Sequence, residues 1–253
     1  MNRRVAATQP AYVLHRYDWS ESSLILDLFT RDLGRVAVAA KGAKRPYSQL
    51  RPVLLPFQAL NVAFGRSAAD EHAEVLTLRQ AEWAGGLPML SGAALFSGFY
   101  LNELLMKLLA RQDPHPPLFD AYAATLPALT GGGDAEQAAL RAFELVLLRA
   151  LGLLPELDVV TQTAAALEAH RLYALRPESG VVAMQDSDEP GCRGAALVAL
   201  QAALQHGSLP ALQARCLPVL QPLRSQLRSL LHHHLGSSQL RTRQVMLDVQ
   251  RLG

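Results

Sequence analysis

Cysteine is nearly absent from this chain: Cys192 and Cys216 are the only two in 253 residues, and no CxxC pair occurs. A disulfide framework and a four-cysteine zinc site are therefore excluded, and a reducing cytoplasm is the expected setting. No run of about 18 uninterrupted apolar residues exists, so no membrane-spanning helix is expected. The opening MNRRVAATQPAYVLHRYDW is basic but lacks the apolar stretch of a secretory leader. Catalytic signatures are missing as well. The chain has no phosphate loop, GxGxxG, GxSxG or HExxH motif. Ser20, Ser22 and Ser23 with Asp18 and Glu21 form no nucleophile and base. Asp18, Glu21 and Asp27 would suit a two-metal nuclease only with a further acidic partner, which the surrounding sequence does not offer.

What is present is cationic and unevenly placed. The net charge is only +2, with a pI near 8.7. Residues 1–80 hold 11 Lys and Arg against 7 Asp and Glu, leaving 13 against 15 of the chain's 24 and 22 for the remainder. The positive excess thus belongs to the first segment. Its focus is GRVAVAAKGAKRPYSQLRPVLLPF (34–57), where an alternating strand gives way to a turn rich in Gly, Lys and Arg. Lys41, Lys44, Arg45 and Arg51 lie at the seam between strands, and Arg31, Arg35 and Arg66 join them as candidate cations. There, flexible cations can reach a phosphate backbone without disturbing a core. Ordinary solvated surface charge is the competing reading. Arg224, Arg228, Arg241 and Arg243 form a second, weaker basic patch near the end of the chain.

The apolar periodicity changes once. Up to about residue 80 it alternates, predicting strands near 6–17, 22–30, 34–41, 53–64 and 73–80 joined by short turns, which suits a small closed barrel. From about residue 89 it becomes helical, with Leu95, Phe99, Leu101, Leu105, Leu108 and Leu109 on one long stripe. Pro114, Pro116 and Pro117 are expected to end that helix, and Gly131–Gly133 the next. Asp134 followed by Gln137 suggests a capped start for a helix that Gly152 stops. LYALRPESGVVAM reads as a short hairpin, and helices resume near 194–206, 208–217 and 218–235. Gly236 ends the last of these, and Ser237 or Ser238 caps a final helix near 239–251. The expectation is an α+β protein: an N-terminal five-stranded barrel over 1–82, then a mainly α-helical domain over 83–253 with an irregular insert around 155–190.

Seven stretches carry a family resemblance: AYVLHRYDWSESSLILDLFT (11–30), GRVAVAAKGAKR (34–45), LLPFQAL (54–60), SGFYLNELLMKLL (97–109), LRAFELVLLRALGLLPELD (140–158), GAALVAL (194–200) and HHLGSSQLRTRQV (233–245). They span nearly the whole chain in order, and together they resemble the bacterial RecO recombination mediators. The resemblance implies an oligonucleotide/oligosaccharide-binding (OB) barrel and a helical domain. It also implies binding of single- and double-stranded DNA, strand annealing, and help to RecR in loading RecA onto strands coated with single-stranded-DNA-binding protein. No enzymatic step and no cofactor is implied. Many relatives carry two CxxC pairs after the LGLLPELD-like motif. Here Val160 and Thr163 stand where the first would fall, so zinc is not expected.

The resemblance favours DNA contact for the N-terminal cations, with aromatic faces available to stack on bases. Tyr47, inside the basic turn, is the favoured stacker among Tyr12, Tyr17, Trp19, Tyr47 and Phe64. Arg141 and Arg149 flank an apolar helix. An Arg141–Glu144 pair is the plain reading, whereas the resemblance implies a site for the acidic, apolar-ended tail of single-stranded-DNA-binding protein. His232–His234 fan out by about 100° per residue, so three adjacent histidines cannot share one ion on a helix. Cys192 and Cys216 are expected to be buried small hydrophobes. The alternative to a DNA-binding mediator is an interaction adaptor whose barrel contacts protein and whose DNA affinity is incidental.

Overall fold

The computed structural model describes residues 8–65, 74–86, 89–185, 190–236, 240–242 and 244–245. It divides into two compact units, Met1–Ala123 and Ala124–Gly253. Five strands open the first: β1 (Gln9–Asp18), β2 (Leu24–Thr30), β3 (Gly34–Ala40), β4 (Leu60–Gly65) and β5 (Val75–Trp83). They close into a barrel in the order β1-β2-β3-β5-β4, antiparallel throughout except where β3 runs parallel to β5. Period-two alternation sends Ala11, Val13, Leu26, Leu28, Val36, Val38, Leu60 and Val62 into one buried core. Each fully buried Val or Leu there contributes roughly 1.5–3 kcal/mol.

The fourth strand is shorter than its apolar run predicts. Residues 53–59 form turns, with Leu54 N–H donating to the Leu50 carbonyl at 3.0 Å and Leu55 N–H to that of Val53 at 2.8 Å. Pro56 has no N–H to give a ladder, and Phe57 adopts φ +65°, which no strand accommodates. The apolar side chains of this stretch are nevertheless buried: Leu54 joins the barrel core, and Phe57 packs edge-on to Phe99 at 5.0 Å.

The first unit continues into α1 (Gly92–Leu108) and α2 (Pro116–Ala128), the division falling inside α2. The prolines do not end α1, which stops at Leu108; Pro116 and Pro117 instead begin α2, where a missing N–H is harmless. What meets the end of α1 is the barrel: Arg35 Nη1 donates to the carbonyls of Met106 and Leu109. Along α1, Asn102 is the buried polar exception. Its amide donates to the Leu14 carbonyl of β1 at 2.9 Å and accepts from the Tyr122 hydroxyl at 2.6 Å. Around them Tyr12, Phe29, Phe119 and Tyr122 pack with ring centroids 5.1–6.0 Å apart.

The second unit is built on α3 (Gly133–Ala150), against which α5 (Leu209–Cys216) and α6 (Leu220–Leu235) pack, with α4 (Gly194–His206) on α5. The predicted cap at Asp134 is not formed. Gly132 (φ +65°) is the N-cap without a side-chain bond, and Asp134 and Glu136 sit in the first turn, where their charge complements the helix dipole. The predicted hairpin is present as β6 (Leu172–Arg176) and β7 (Gly180–Ala183), with β8 (Cys192–Arg193) on the other side of β6. Buried Gln226 of α6 binds this sheet, accepting from Leu175 N–H at 3.2 Å and donating to the Pro190 carbonyl at 3.2 Å. Gly236 ends α6 at φ +63°. Of the expected final helix, residues 241, 242, 244 and 245 are helical, while Ser237, Ser238 and the rest lie outside the described residues.

In the irregular segment, backbone bonds and the hydroxyls of Thr161, Thr163 and Tyr173 do the holding. Val160 N–H donates to the Ala165 carbonyl at 2.8 Å, and Thr161 Oγ1 accepts from Val181 N–H at 2.8 Å. No group of three or more His, Cys, Asp and Glu gathers among the described residues. Cys192 and Cys216 are both fully buried, and burial pushes each thiol up to about 12, which makes them inert packing groups.

One glycine tests the β2–β3 corner. Gly34 has φ +67°, and a Cβ there would lie 2.0 Å from the Asp113 carbonyl oxygen. Gly34→Ala is expected to lose more than about 2 kcal/mol in urea unfolding. Gly85→Ala, also at positive φ but with open space around it, should lose no more than about 1–2 kcal/mol.

Candidate nucleic-acid interface

The connection from Lys41 to Ala59 is long and carries most of the predicted cations, yet it is fixed at both edges. Ala43 and Leu54 are buried in the barrel core, and Leu50 and Val53 pack against it. Backbone bonds close tight turns, Arg45 N–H to the Gly42 carbonyl at 3.2 Å and Ser48 N–H to that of Arg45 at 3.0 Å. Gly42 supplies φ +74° for the first of them. A second set joins the connection to the β1–β2 turn: Lys44 N–H donates to the Ser22 carbonyl at 2.9 Å, and Gly42 N–H to Ser23 Oγ at 3.3 Å.

With the small and apolar side chains turned inward, the polar ones are forced out. Lys41, Arg45, Tyr47 and Arg51 are all exposed, Tyr47 at 95%. Among the described residues no hydrogen bond or ion pair engages the side chains of Lys41, Arg45 or Arg51. Pro46, Tyr47, Ser48, Gln49, Arg51 and Pro52 line an open depression of about 530 Å³. The prolines, with φ fixed by their rings, stiffen both its sides. An apolar ring beside an unneutralised guanidinium on a stiff loop can stack a base and hold the adjoining phosphate.

The other cations grouped with these have different surroundings. Arg31 makes two 3.0 Å bonds to the Asp120 carboxylate, tying the β2–β3 turn to α2. Arg35 is the most deeply held: Nε lies 3.0 Å from Asp27 Oδ1, Asp27 is 2% exposed, and Nη1 is on the α1 carbonyls. Lys44 reaches Asp18 at 3.3 Å and the Ser20 carbonyl at 3.1 Å, half-buried across the mouth of the turn. Arg66 lies outside the described residues. Asp27 and Asp18 are thus engaged by Arg35 and Lys44, so the carboxylates considered for a nuclease do not converge.

In the second unit Arg141 is buried, its Nη2 2.7 Å from Glu144 Oε1 one turn along α3, and its Nε has no hydrogen-bond partner among the described residues. Arg149 is exposed in the last turn of the same helix. Of the second basic patch, Arg224 and Arg241 are exposed, Arg228 is half-buried, and Arg243 lies outside the described residues. Sequence reasoning did not single out Pro46 and Pro52 as walls of the depression; their spacing around Tyr47 was the available signal. Burial of Arg35 was signalled by Asp27, an acidic residue inside the otherwise apolar β2 run.

A five-stranded barrel of this order, presenting cations and an exposed ring at one connection, belongs to the OB class of binding domains. The profile described as "Recombination protein O N terminal" matches residues 1–86, and "Recombination protein O C terminal" matches residues 89–244. The chain is 55% identical over 246 residues to the DNA repair protein RecO of a Polaromonas species, strain JS666, covering 96% of this chain and 97% of that one. It is 55% identical over 249 residues to its counterpart in Polaromonas naphthalenivorans, covering 97% and 98%, and 50% identical over 263 residues to that of Acidovorax ebreus, covering all of both chains. The chain belongs to the RecO family of DNA repair proteins.

The contrast between held and unheld cations is measurable. Arg35→Leu leaves a buried carboxylate unpaired and should lose about 3–5 kcal/mol in urea unfolding. Lys41→Glu, Arg45→Glu and Arg51→Glu should each change stability by no more than about 0.5 kcal/mol.

Proposed function

We propose that the protein is a non-enzymatic recombination mediator working in the cytoplasm. In this reading it binds single- and double-stranded DNA, holds complementary strands for annealing, and with RecR helps load RecA onto strands coated with single-stranded-DNA-binding protein. Membership of the RecO family supports the reading. The observation that carries it is the Lys41–Pro52 turn, which bears three exposed cations without a carboxylate partner among the described residues and an almost fully exposed Tyr47, with Arg51 lining the same depression.

The mechanism needs charge and position only. Two single strands repel one another through their phosphates, and bound cations remove that repulsion while releasing counterions. Stacking on Tyr47 contributes roughly 1–3 kcal/mol per base and tolerates any sequence, leaving the Watson–Crick edges free to search for register. The half-held Lys44 and Arg31 can join a bound strand only by leaving Asp18 and Asp120. Arg35 stays with Asp27. For the partner tail, exposed Arg149 is the accessible cation of α3, whereas Arg141 would have to open its pair with Glu144. Arg224 and Arg241 offer a second, separate set of phosphate contacts. The boundary near residue 82 is retained as the end of the DNA-binding domain, and the segment around 155–190 as a zinc-free part of the helical domain.

A labelled single-stranded oligonucleotide titrated across a salt series tests this. Reversing Lys41, Arg45 and Arg51 together should flatten the slope of log affinity against log salt by about 2, at about 0.7 per phosphate contact on single strands. An unchanged slope in a folded variant removes the turn as the DNA site and moves the assignment to Arg224 and Arg241.

A further inference from the structure

The β1–β2 register contains one irregularity, between Val13 and His15. Upstream, Val13 faces Leu28 and both enter the barrel core. Downstream, Arg16 faces the core residue Leu26, so His15 and Tyr17 lie on the opposite side of the ribbon, across from Asp27 and Ile25. Without the bulge the odd-numbered residues would continue into the barrel. With it, they point outward, a use of bulges common beside binding sites.

The two re-aimed residues, His15 and Tyr17, are aromatic, and a third ring follows them at Trp19. His15, Tyr17 and Trp19 follow one another at the two-residue repeat that places side chains on one face of a strand, Trp19 standing just past its end. The His15 and Tyr17 rings meet edge to face at 4.4 Å. All three residues are exposed, Tyr17 at 46% and Trp19 at 58%. Three successive exposed rings bury only part of their surface for the fold, and the ribbon that bears them is firmly backed. Arg16 Nη1 donates to the Leu54 carbonyl at 3.2 Å, Asp18 holds Lys44 at 3.3 Å, and Trp19 and Ser20 N–H both donate to the Ser23 carbonyl at 3.3 Å. Lys44 also reaches the Ser20 carbonyl, placing a cation next to Trp19.

We propose that His15, Tyr17 and Trp19 form a stacking ladder for the bases of a single nucleic-acid strand, continuing the path that begins at Tyr47. This rests on the DNA-binding reading above and extends it to a second surface. Single-stranded nucleic acid is the occupant because flat, polar-edged rings in series beside Lys44, on a ribbon bonded to the cationic turn, match bases in series beside phosphates. A backed ribbon pays little ordering entropy on binding, whereas a mobile loop would pay more.

The chain has two tryptophans, Trp19 and Trp83, so its own fluorescence can report the contact. In Trp83→Phe, titration with an oligothymidylate should quench the emission of the remaining Trp19. An oligomer of abasic sites, carrying the same phosphates, should bind without quenching. By anisotropy of a labelled oligothymidylate, Tyr17→Ala/Trp19→Ala should bind at least about 30-fold more weakly than wild type with its salt slope unchanged. Both side chains are exposed, so its unfolding midpoint should match wild type. Binding of the double variant at wild-type strength, or quenching by the abasic oligomer equal to that by oligothymidylate, overturns the ladder while the DNA-binding reading stands. Failure of the wild type to bind any oligonucleotide at low salt overturns both.

Discussion

The ion pair between Asp27 and Arg35 is the constraint on which the first unit depends. Asp27 sits in the middle of β2 at 2% exposure, where a carboxylate without a partner would be strongly destabilising. Arg35, across the ladder on β3, answers it with two bonds from one plane of its guanidinium. The nitrogen left over turns to the last carbonyls of α1, whose dipole ends there in partial negative charge. Its own carbonyl accepts from Gln112 N–H at 2.8 Å. One side chain thereby fixes the pairing of two strands and the point at which a helix stops against them.

That arrangement has a consequence for binding. OB barrels commonly meet their ligands on the face of the second and third strands and at neighbouring loops. Here much of that outer face is occupied. Asp27, Phe29 and Ala37 are buried, and Phe29 packs against Phe119 and Tyr122 of α2. Asn102 locks the same layer by satisfying a β1 carbonyl on one side and the Tyr122 hydroxyl on the other, so sliding the helix would leave buried polar groups unpaired. What remains accessible is the end of the barrel where the Lys41–Pro52 turn and the exposed part of β1 project.

Barrel and helices were legible because alternation and helical stripes report which face is buried, and burial organises both units. The apolar run 53–59 misled because burial does not require a strand: Leu54 and Phe57 fill the core from turns that Pro56 and a left-handed Phe57 impose. The prolines after α1 misled in the same way, since a helix can be stopped earlier by a tertiary partner for its carbonyls. Among the site residues, the sequence grouped cations by proximity, and proximity cannot distinguish an arginine facing solvent from one facing a carboxylate 89 residues away, as Arg31 faces Asp120. Arg35 and Asp27, eight residues apart on a hairpin, were within reach of inspection, because a carboxylate in an apolar strand demands a partner. The bulge that turns Tyr17 outward left no mark in the alternation.

The separation of cations into two classes also governs how the protein responds to salt. Exposed charges such as Lys41, Arg45 and Arg51 act through water, where a Debye length of about 8 Å at physiological ionic strength limits their reach. The Asp27–Arg35 pair is largely shut away from solvent and its attraction is little screened. Raising salt should therefore loosen contacts at the turn long before it loosens the barrel that presents them. Under the proposed DNA-binding reading, that order of events lets a strand leave without loss of structure, with weak, exchangeable charge at the surface and committed charge inside. Lys44 and Arg31, paired with Asp18 and Asp120 at partly exposed positions, fall between the two classes, and their pairs are screened by salt more than Asp27–Arg35 is.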